Sequence, residues 1–332
     1  MHTPSHRLTT KKFLASALIA LALPFAATVA GAGEVKVDPK IATYTPTTGV
    51  AGNIDSIGSD TLNNLMTFWA ESFKKHYPNV KIQVEGKGSS TAPPALIAGT
   101  ANIGPMSRKM KSTEEDEFEK KYGFKPTPIG VALDSLAVFV NKDNPVNSLT
   151  MQQVDAIFSK TRKSGAPADI ATWKEIAPAS PLANQPISLY GRNSASGTYG
   201  YFKEHALAKG DYKDTVKEQP GSAAVVMGIT EDKAGIGYSG IGYVTSGVKP
   251  LSLAAKEGDK AYEANMENVL SGKYPLSRML YIYVIKEPNK PLAPLQKEFL
   301  KFILSAEGQE VVVKDGYMPL PAAVVEKELQ KL

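Results

Sequence analysis

The chain has 332 residues, of which 42% are hydrophobic and 21% charged, enough to bury globular cores in roughly two domains of about 150 residues. Its formal net charge is only +5, and no long basic run follows the first segment, which excludes a typical nucleic-acid-binding surface. There is no cysteine, so disulfide bonds contribute nothing and the core alone must supply stability.

The first 32 residues are typical of an export signal. Three basic residues precede an apolar run at 13–27, and a stretch of small residues follows. Ala30 and Ala32 have the spacing that signal peptidase needs, which predicts cleavage after Ala32. A retained membrane anchor, the alternative, would need about 20 apolar residues. The pattern therefore predicts an exported protein without stable membrane insertion. Because no lipobox cysteine is present to tether it, the periplasm is favoured, and secretion is the second possibility.

The first part of the mature chain alternates between predicted strands and helices. Residues 33–52 are polar and without periodicity, which predicts an N-terminal tail. Strands are predicted at 53–58, 80–86 and 101–104, with a helix after each of the first two. The first helix is predicted to bury one face, formed by Leu62, Leu65, Phe68, Trp69, Ser72 and Phe73. This order of elements predicts the parallel sheet of an α/β fold.

The rest of the chain continues the alternation and adds two long apolar strands. The long strands are predicted at 129–140, interrupted by Asp134 and Ser135, and at 279–285. Shorter strands are predicted at 187–190 and 234–238, and helices at 114–121, 151–158, 199–209, 223–231, 295–304 and 307–313. The charged helix at 114–121 is interpreted as solvent-facing.

Three turns rich in glycine and hydroxyl side chains each stand between a predicted strand and a predicted helix. They are 58–61 (Gly-Ser-Asp-Thr), 88–91 (Gly-Ser-Ser-Thr) and 192–198 (Arg-Asn-Ser-Ala-Ser-Gly-Thr). A helix start presents unpaired N–H groups and the positive end of the helix dipole, so several that converge form an anion-binding site. The alternative is that each serine or threonine only caps its helix, the more common role for any one such turn.

Two arginines favour the binding hypothesis because they stand beside these turns. Arg192 opens the third turn, and Arg108 follows Ser107 after the predicted strand at 101–104. A planar guanidinium can donate two parallel hydrogen bonds to an oxyanion. The sequence therefore predicts an oxyanion-binding site.

Four stretches of the chain are specific when their order and spacing are taken together, although each motif alone is weak. They are 57–62; 86–91 through 103–108; 191–192 through 196–198; and 274–278 with 308–309 and 316–317. In these stretches the chain resembles the phosphate-binding proteins of bacterial phosphate ABC transporters, over nearly all of residues 53–320. The resemblance implies an α/β protein with the two-lobed type II periplasmic binding protein fold, in which two hinge strands cross between the lobes.

The resemblance also implies ligand-binding residues at matching positions of this chain. These are Ser59, Asp60, Thr61, Ser89, Ser90, Ser107, Arg108, Arg192, Ser196, Gly197 and Thr198. The residues up to Arg108 would be contributed by the first lobe, and those from Arg192 onward by the second. Inorganic phosphate would be bound in the cleft without chemistry and without a cofactor.

One position departs from part of the family. Where Arg108 stands, part of the family has an aspartate that accepts the proton of hydrogen phosphate and so disfavours sulfate. Asp60 is the candidate substitute, and a simple acidic residue at a helix start is the alternative interpretation. Phosphate is favoured, while sulfate, molybdate or another tetrahedral oxyanion stays open.

The two long apolar strands are predicted hinge crossings. The first, around 133–140, would carry the chain out of lobe one, and the second, around 278–285, would return it. Lobe one would then be discontinuous, with residues 53–134 and 285–332, and lobe two would span 135–284. Closure of the lobes would exclude water, and the closed form would dock on the permease subunits of an ABC transporter.

An exported phosphatase is the main alternative from a different functional class. His76 and His205 are predicted to face solvent, and no cysteine pair or His-x-His motif gives metal-ligand spacing. Ser194 and Ser196 lack the Gly-x-Ser-x-Gly elbow of a serine nucleophile. We therefore expect a monomeric binding protein without catalysis, metal or cofactor. A sensor or a secreted surface protein would use the same binding residues and stays open.

Overall fold

Strands and helices alternate along residues 35–332, the part of the chain that the computed structural model describes. The strands are β1 Asn53–Gly58, β2 Lys81–Gly86, β3 Ile103–Met106, β4 Thr127–Asn141, β5 Ser148–Thr150, β6 Ser188–Arg192, β7 Lys217–Gln219, β8 Gly235–Gly240, β9 Val248–Pro250, β10 Ser252–Ala254 and β11 Ser277–Val284. The helices are α1 Asn63–Lys74, α2 Ala92–Ala98, α3 Ser112–Tyr122, α4 Met151–Phe158, α5 Gly197–His205, α6 Ser222–Glu231, α7 Met266–Leu270, α8 Pro294–Ile303, α9 Ala306–Lys314 and α10 Ala322–Leu329. The predicted α/β class is confirmed.

One mixed sheet of nine strands runs through the described residues. Its strand order is β2-β1-β3-β11-β4-β8-β6-β7, and β9 also pairs with β4. β1 is parallel to β2 and β3, and β6 is parallel to β7 and β8, whereas β4 and β11 run antiparallel to their neighbours. Since ligands of open α/β sheets bind beyond the carboxyl ends of parallel strands, each parallel group offers one such edge.

Strand β4 connects the two parallel groups because it is long enough to belong to both. Its first part, 127–135, pairs with β11, and its last part, 136–141, pairs with β8 and β9. Its side chains change core at the same point: Ile129 belongs to a first hydrophobic core and Leu136 to a second. A nearly continuous apolar run suits a strand that is covered on both faces.

The first core lies beneath α1, α8 and α9. Trp69 and Phe73 are fully buried in it, and the indole Nε1 of Trp69 donates to the carbonyl of Gly308 at 2.8 Å. The prediction for Phe68 was wrong, because this side chain is 42% exposed. The buried stripe of α1 runs through Met66 and Trp69, and Phe68 lies about 100° away from Trp69 around the helix.

The second core lies between α4, α5 and the β6–β8 group. Phe158, Phe202 and Tyr238 are fully buried there, and the rings of Phe202 and Tyr238 stack with centroids 3.9 Å apart. Large aromatic side chains bury much apolar area, which fixes how α5 lies on the sheet. The orientation of α5 matters because its first turn belongs to the site described below.

The predicted polar tail at 33–52 is described from residue 35 onward and lies against the first core. Residues 35–52 form no helix or strand. Even so, Ile41 is buried, and the hydroxyl of Tyr44 donates to Glu298 at 3.0 Å. Single apolar residues without periodicity give no secondary-structure signal, so the sequence indicates the lack of regular structure but not the packing.

The predicted signal peptide at 1–32 lies outside the described residues. Residues 35–332 pack as one unit. Within that range, no helix has the length and apolar character needed to cross a membrane. The same range holds no group of three or more histidine, cysteine, aspartate or glutamate residues that could hold a metal ion.

Candidate functional site

The three hydroxyl-rich turns predicted from the sequence come together at one place. The first follows β1, the second follows β2, and the third follows β6 from the other parallel group. The N–H of Gly88 donates to the carbonyl of Gly58 at 2.8 Å, which joins the first two turns. The N–H of Ser90 donates to the carbonyl of Ala195 at 3.0 Å, which joins the second turn to the third. Segments that are far apart in the chain therefore converge.

Hydroxyl groups of these turns are buried and hydrogen-bonded to one another. The Oγ1 atoms of Thr61 and Thr198 are 2.8 Å apart, which links the first turn to the start of α5. The Oγ atoms of Ser89 and Ser107 are 3.2 Å apart, and the N–H of Ser107 donates to Ser89 Oγ at 3.0 Å. All four side chains belong to residues that are at most 1% exposed. The cluster is thus rich in groups that can donate hydrogen bonds to an anion.

Two glycines allow the turns to approach so closely. A Cβ atom at Gly197 would lie 2.6 Å from Ser107 Oγ and would also collide with Ser89 Oγ. Gly88 has a φ of 120°, and a Cβ atom there would lie 2.6 Å from the carbonyl oxygen of Ala195. Any residue other than glycine at position 88 or 197 would therefore push the second and third turns apart.

Ser196 has the capping role that the sequence left open. Its Oγ accepts hydrogen bonds from the N–H groups of Thr198 at 3.1 Å and Tyr199 at 3.3 Å, at the start of α5. Ser59 makes no such cap at the first turn, although it is buried and its own N–H donates to the carbonyl of Pro105 at 2.8 Å. The serines of the site consequently differ in role: Ser196 stabilises a helix start, whereas Ser59 does not.

Arg192 lies at the end of β6 and is only 1% exposed. Its Nη1 donates to Ser222 Oγ at 2.6 Å, and its Nη2 is 3.1 Å from Oδ2 of Asp60. Its Nε is buried without a hydrogen-bond partner among the described residues. Burial lowers the pKa of the Arg192 guanidinium, and the charge of Asp60 opposes that change. The site therefore contains a buried cationic donor that still has an N–H group to offer.

Asp60 connects the first turn to the other parallel group. In addition to its contact with Arg192, its Oδ2 accepts a hydrogen bond from the N–H of Ser222 at 2.8 Å, at the start of α6. Its backbone carbonyl accepts from the hydroxyl of Tyr243 at 2.9 Å. The carbonyl of the next residue, Thr61, accepts from the hydroxyl of Tyr317 at 2.8 Å. Sequence reasoning missed Tyr243 and Ser222, which carry no motif, and it noted Tyr317 only within the family resemblance and not as a site residue.

Arg108 does not face the cluster in the same way. Its Nη1 and Nη2 each donate to the carboxylate of Glu114 at 2.7 Å, and Nη2 also donates to Ser90 Oγ at 3.1 Å. Burial alone would raise the pKa of Glu114, but the hydrogen bonds from Arg108 and from the N–H of Lys111 lower it overall. The predicted solvent-facing helix at 114–121 is mostly exposed, but Phe118 is buried and Glu114 is half-buried because it pairs with Arg108.

A second buried ion pair, Arg278 and Asp134, borders the cluster and was not among the predicted site residues. Arg278 Nε donates to Asp134 Oδ2 at 2.8 Å, and the two residues stand opposite each other on β11 and β4. Arg278 Nη2 donates to Thr198 Oγ1 at 3.0 Å, and Nη1 donates to the carbonyl of Ser107 at 2.9 Å. Asp134 interrupts the first predicted apolar strand and Arg278 directly precedes the second, so each charge has a signal in the sequence, but the pairing of the two has none.

His76 and His205, the two histidines within residues 35–332, lie away from this cluster. His76 is half-buried, contrary to the prediction, because its Nε2 lies 3.0 Å from Glu307 and its ring packs against Tyr44. His205 is exposed on α5, as predicted, and stacks on Tyr201 with ring centroids 4.1 Å apart. Neither histidine contacts the hydroxyl cluster, so the site consists of hydroxyl, amide, carboxylate and guanidinium groups.

The class of protein follows from this architecture. Two parallel groups joined through long antiparallel strands, with helix starts that converge from both groups, form the type II periplasmic binding protein fold. The PBP superfamily domain, as a family model, matches residues 42–307. The phosphate-binding protein PstS of Pseudomonas aeruginosa is 58% identical over 313 residues, which cover 94% of this chain and 97% of that protein. The chain belongs to the PBP superfamily and, within it, to the family of PstS phosphate-binding proteins.

Solved structures agree with this assignment. A protein from Clostridium perfringens, described as a phosphate ABC transporter substrate-binding protein and solved with bound phosphate, is 29% identical. It superimposes with a TM-score of 0.69 over 81% of this chain and 100% of that one. An ABC-type phosphate transport receptor from Vibrio cholerae is 25% identical, with a TM-score of 0.61 over 81% of this chain and 100% of that one. The likeness therefore extends over both parts of the sheet.

Proposed function

We propose that this protein binds inorganic phosphate between two lobes and delivers it to the permease of an ABC transporter, without catalysing a reaction. The observation that carries the proposal is the convergence of three hydroxyl-rich turns, together with the buried guanidinium of Arg192, which contacts Asp60 of the first turn and whose Nε has no partner among residues 35–332. Serine and threonine hydroxyls and helix-start N–H groups suit the four oxygens of a tetrahedral anion. The family membership supports phosphate as that anion.

The lobes are proposed from the two hydrophobic cores. Ile129 and Leu136 of β4 belong to different cores, which favours a first crossing near Asp134, where the sequence analysis put it. Leu276 belongs to the second core and Leu280 to the first, which favours a return crossing near Ser277 rather than at residue 285. We therefore propose that the second lobe spans about residues 135–277 and that the remainder of residues 53–332 forms the first.

Selectivity for phosphate is assigned in this proposal to Asp60. Its carboxylate lies in the first turn, 3.1 Å from Nη2 of Arg192, and so stands next to the donors that would hold the anion. A carboxylate can accept the proton of hydrogen phosphate, whereas fully ionised sulfate offers no proton and meets an unpaired like charge. The same carboxylate also forms the ion pair with Arg192. Substitution of Asp60 should affect phosphate and sulfate affinity differently depending on whether proton acceptance or the ion pair matters for binding.

Replacement of Asp60 by asparagine separates these roles. If Asp60 accepts the ligand proton, Asp60→Asn narrows the ratio of phosphate to sulfate affinity by at least about tenfold, because the like-charge penalty against sulfate disappears. If Asp60 acts only as the partner of Arg192, both affinities change together. Isothermal titration with each anion at pH 7 measures the ratio, and Asp55→Asn, on β1 before the first turn, is the matched control.

We also propose that the protein lies in the periplasm and serves transport. The first 32 residues have the pattern of a cleaved export signal, which together with the family favours the periplasm. The neighbours named as ABC transporter binding proteins favour an ABC permease as the partner of a monomeric protein. A sensor or a secreted surface protein would bind the same anion, so loss of phosphate uptake in a gene deletion, restored by the intact chain, is the decisive observation for transport.

Binding is tested first on the purified protein. We expect saturable one-to-one binding of phosphate by isothermal titration, with sulfate and molybdate as poor competitors at pH 5–8, the range that spans the second ionisation of phosphate. A phosphomonoester assay with and without divalent metals tests the enzyme alternative, and we expect no turnover. Stronger competition by sulfate than by phosphate would overturn phosphate as the ligand, and turnover would overturn the non-catalytic role.

A further inference from the structure

Arg278 and Asp134 form a buried ion pair at the point where the chain changes core. Asp134 is fully buried and Arg278 is 5% exposed. They are direct neighbours in the register of the antiparallel strands β4 and β11, with Nη2 of Arg278 also 2.7 Å from Asp134 Oδ2. Asp134 Oδ1 in turn accepts from the N–H of Ile241, which follows β8. The pair is therefore held by contacts on several sides.

The remaining donors of Arg278 point to both sides of the cluster. Nη1 donates to the carbonyl of Ser107, which follows β3, and Nη2 donates to the hydroxyl oxygen of Thr198, at the start of α5. The ring of Tyr201 covers the guanidinium at 5.4 Å, and its hydroxyl donates to the carbonyl of Ser277 at 2.6 Å. One side chain thus contacts segments from both parts of the sheet.

The hydrogen bond from Arg278 restricts the directions in which Thr198 can donate. A hydroxyl has one hydrogen to donate and two lone pairs to accept with. Because Thr198 Oγ1 accepts from Arg278, its own hydrogen is turned away from the guanidinium; Thr61 Oγ1 lies 2.8 Å away, and either of the two threonine hydroxyls can be the donor between them. A tetrahedral anion held by the cluster would accept that hydrogen. Acceptance from Arg278 therefore keeps the Thr198 hydrogen on the side of the oxygen that faces away from the guanidinium.

We propose that Arg278, held in place by Asp134, is a positioning residue of the anion site that orients the Thr198 hydroxyl as a donor to the ligand. This inference rests on the proposed binding of an oxyanion by the cluster, and it assigns to Arg278 an effect that acts through Thr198. The charge of Arg278 alone does not provide the effect, because Asp134 neutralises it and a lysine lacks the planar fork that reaches Asp134, Ser107 and Thr198 together.

A double-mutant cycle tests the inference. Isothermal titration with inorganic phosphate compares the unaltered protein with Arg278→Lys, Thr198→Val and the double variant, each after a thermal unfolding scan. We expect each single substitution to weaken binding by roughly ten- to a hundredfold, as for the loss of one charge-assisted hydrogen bond. We expect the double variant to bind within about threefold of the weaker single variant, because contacts that depend on each other are not additive. Arg162→Lys, in the loop after α4, is the matched control and should bind normally.

Each result decides the inference. Additive losses in the cycle, or normal affinity in Arg278→Lys, would overturn the action of Arg278 through Thr198. If Arg278→Lys does not fold, Arg278→Gln combined with Asp134→Asn removes both buried charges together and leaves neither unpaired. In that background, Thr198→Val should weaken binding by less than about threefold, and a full loss overturns the inference.

The wild-type titration separates this inference from the proposed function. A protein that binds sulfate or molybdate but no phosphate overturns phosphate as the ligand, and the same cycle is then measured with the anion that binds. A protein that binds none of the three anions overturns both proposals.

Discussion

Arg192 and Arg108 stand in similar sequence contexts, next to hydroxyl-rich segments that follow short strands, but their surroundings in the structure are different. Arg108 is paired with Glu114, six residues further along the chain, through two hydrogen bonds of 2.7 Å each. Arg192 is paired with Asp60, which is far away in sequence and comes from the opposite parallel group. The first arginine therefore stabilises its own part of the fold, and the second connects two parts.

The difference shows which property makes an arginine available to a ligand. The fork of Arg108 is occupied by a carboxylate that also caps the start of α3, so release of these donors would leave Glu114 without its cationic partner. Arg192 keeps Nε without a partner among the described residues, although it is almost fully buried. A buried donor that lacks a partner is unfavourable until something accepts from it. Proximity to a serine-rich turn is therefore a weaker criterion than an unpaired donor.

Arg192→Ala is expected to have the largest effect on binding. It removes the buried fork and leaves Asp60 without its cationic partner, so phosphate affinity should fall at least about a hundredfold. Isothermal titration measures the loss, and circular dichroism checks that the fold is kept. Arg162→Ala, in an outer loop, is the control. Near-normal phosphate affinity in Arg192→Ala would contradict both the assigned site and the conclusion that Arg192, unlike Arg108, is available to the ligand.

Ser196→Ala is expected to have an intermediate effect. The substitution removes the acceptor for the N–H groups of Thr198 and Tyr199, so the start of α5 loses its cap and about 1 kcal/mol of stability. Phosphate affinity should fall only severalfold, because Gly197 and Thr198 remain in the same segment. Urea denaturation measures the stability change, and Ser196→Thr, which keeps the acceptor oxygen, should restore it. A loss of binding as large as that of Arg192→Ala would make Ser196 a direct ligand instead of a cap.

Arg108→Gln should change binding less than either of these substitutions. The side chain contacts Ser90 Oγ at 3.1 Å but otherwise serves Glu114 and the carbonyl of Lys109. We expect phosphate affinity within about threefold of normal and a lower stability, because Glu114 loses its charged partner. A loss of more than tenfold in affinity would place Arg108 among the direct ligands and remove the contrast with Arg192.

The elements that could be predicted are those with a local signal. Apolar runs indicated β4 and β11, and the Gly-Ser-Thr turns indicated where helices begin. The partners of Arg278 and Asp134 could not be predicted, because these residues are 144 positions apart and meet only through the register of two strands. The pairing of Asp60 with Arg192 likewise depends on how the two parallel groups come together.

The pairing of Arg108 was within reach of sequence reasoning. Glu114 stands three residues after Lys111, where a glutamate commonly accepts a hydrogen bond from the N–H that precedes a helix. A carboxylate fixed at the start of α3, six residues from Arg108, is an available partner for that arginine. Arg192 has no such local carboxylate in the turn that it opens, so a capping signal in the sequence distinguishes the two arginines.

The smallest expected effect is a change in the stability of the fold at acid pH when the Arg108–Glu114 pair is broken. Although burial alone would raise the pKa of Glu114, hydrogen bonds from Arg108 and the N–H of Lys111 hold it below its usual value of 4.5. A carboxyl group with a lowered pKa adds stability above its unfolded-state pKa and loses it as the pH falls through the folded-state pKa. Glu114→Gln should therefore be less stable than the wild type near pH 7, and the difference should shrink below about pH 4.5.

Urea denaturation from pH 7 to pH 3 measures this difference in stability, with Glu115→Gln on the same helix as the control. Phosphate affinity at pH 7 should not change, so a weaker titration in Glu114→Gln, or a stability difference that is constant with pH, would mean that the Arg108 pair is part of the binding site after all.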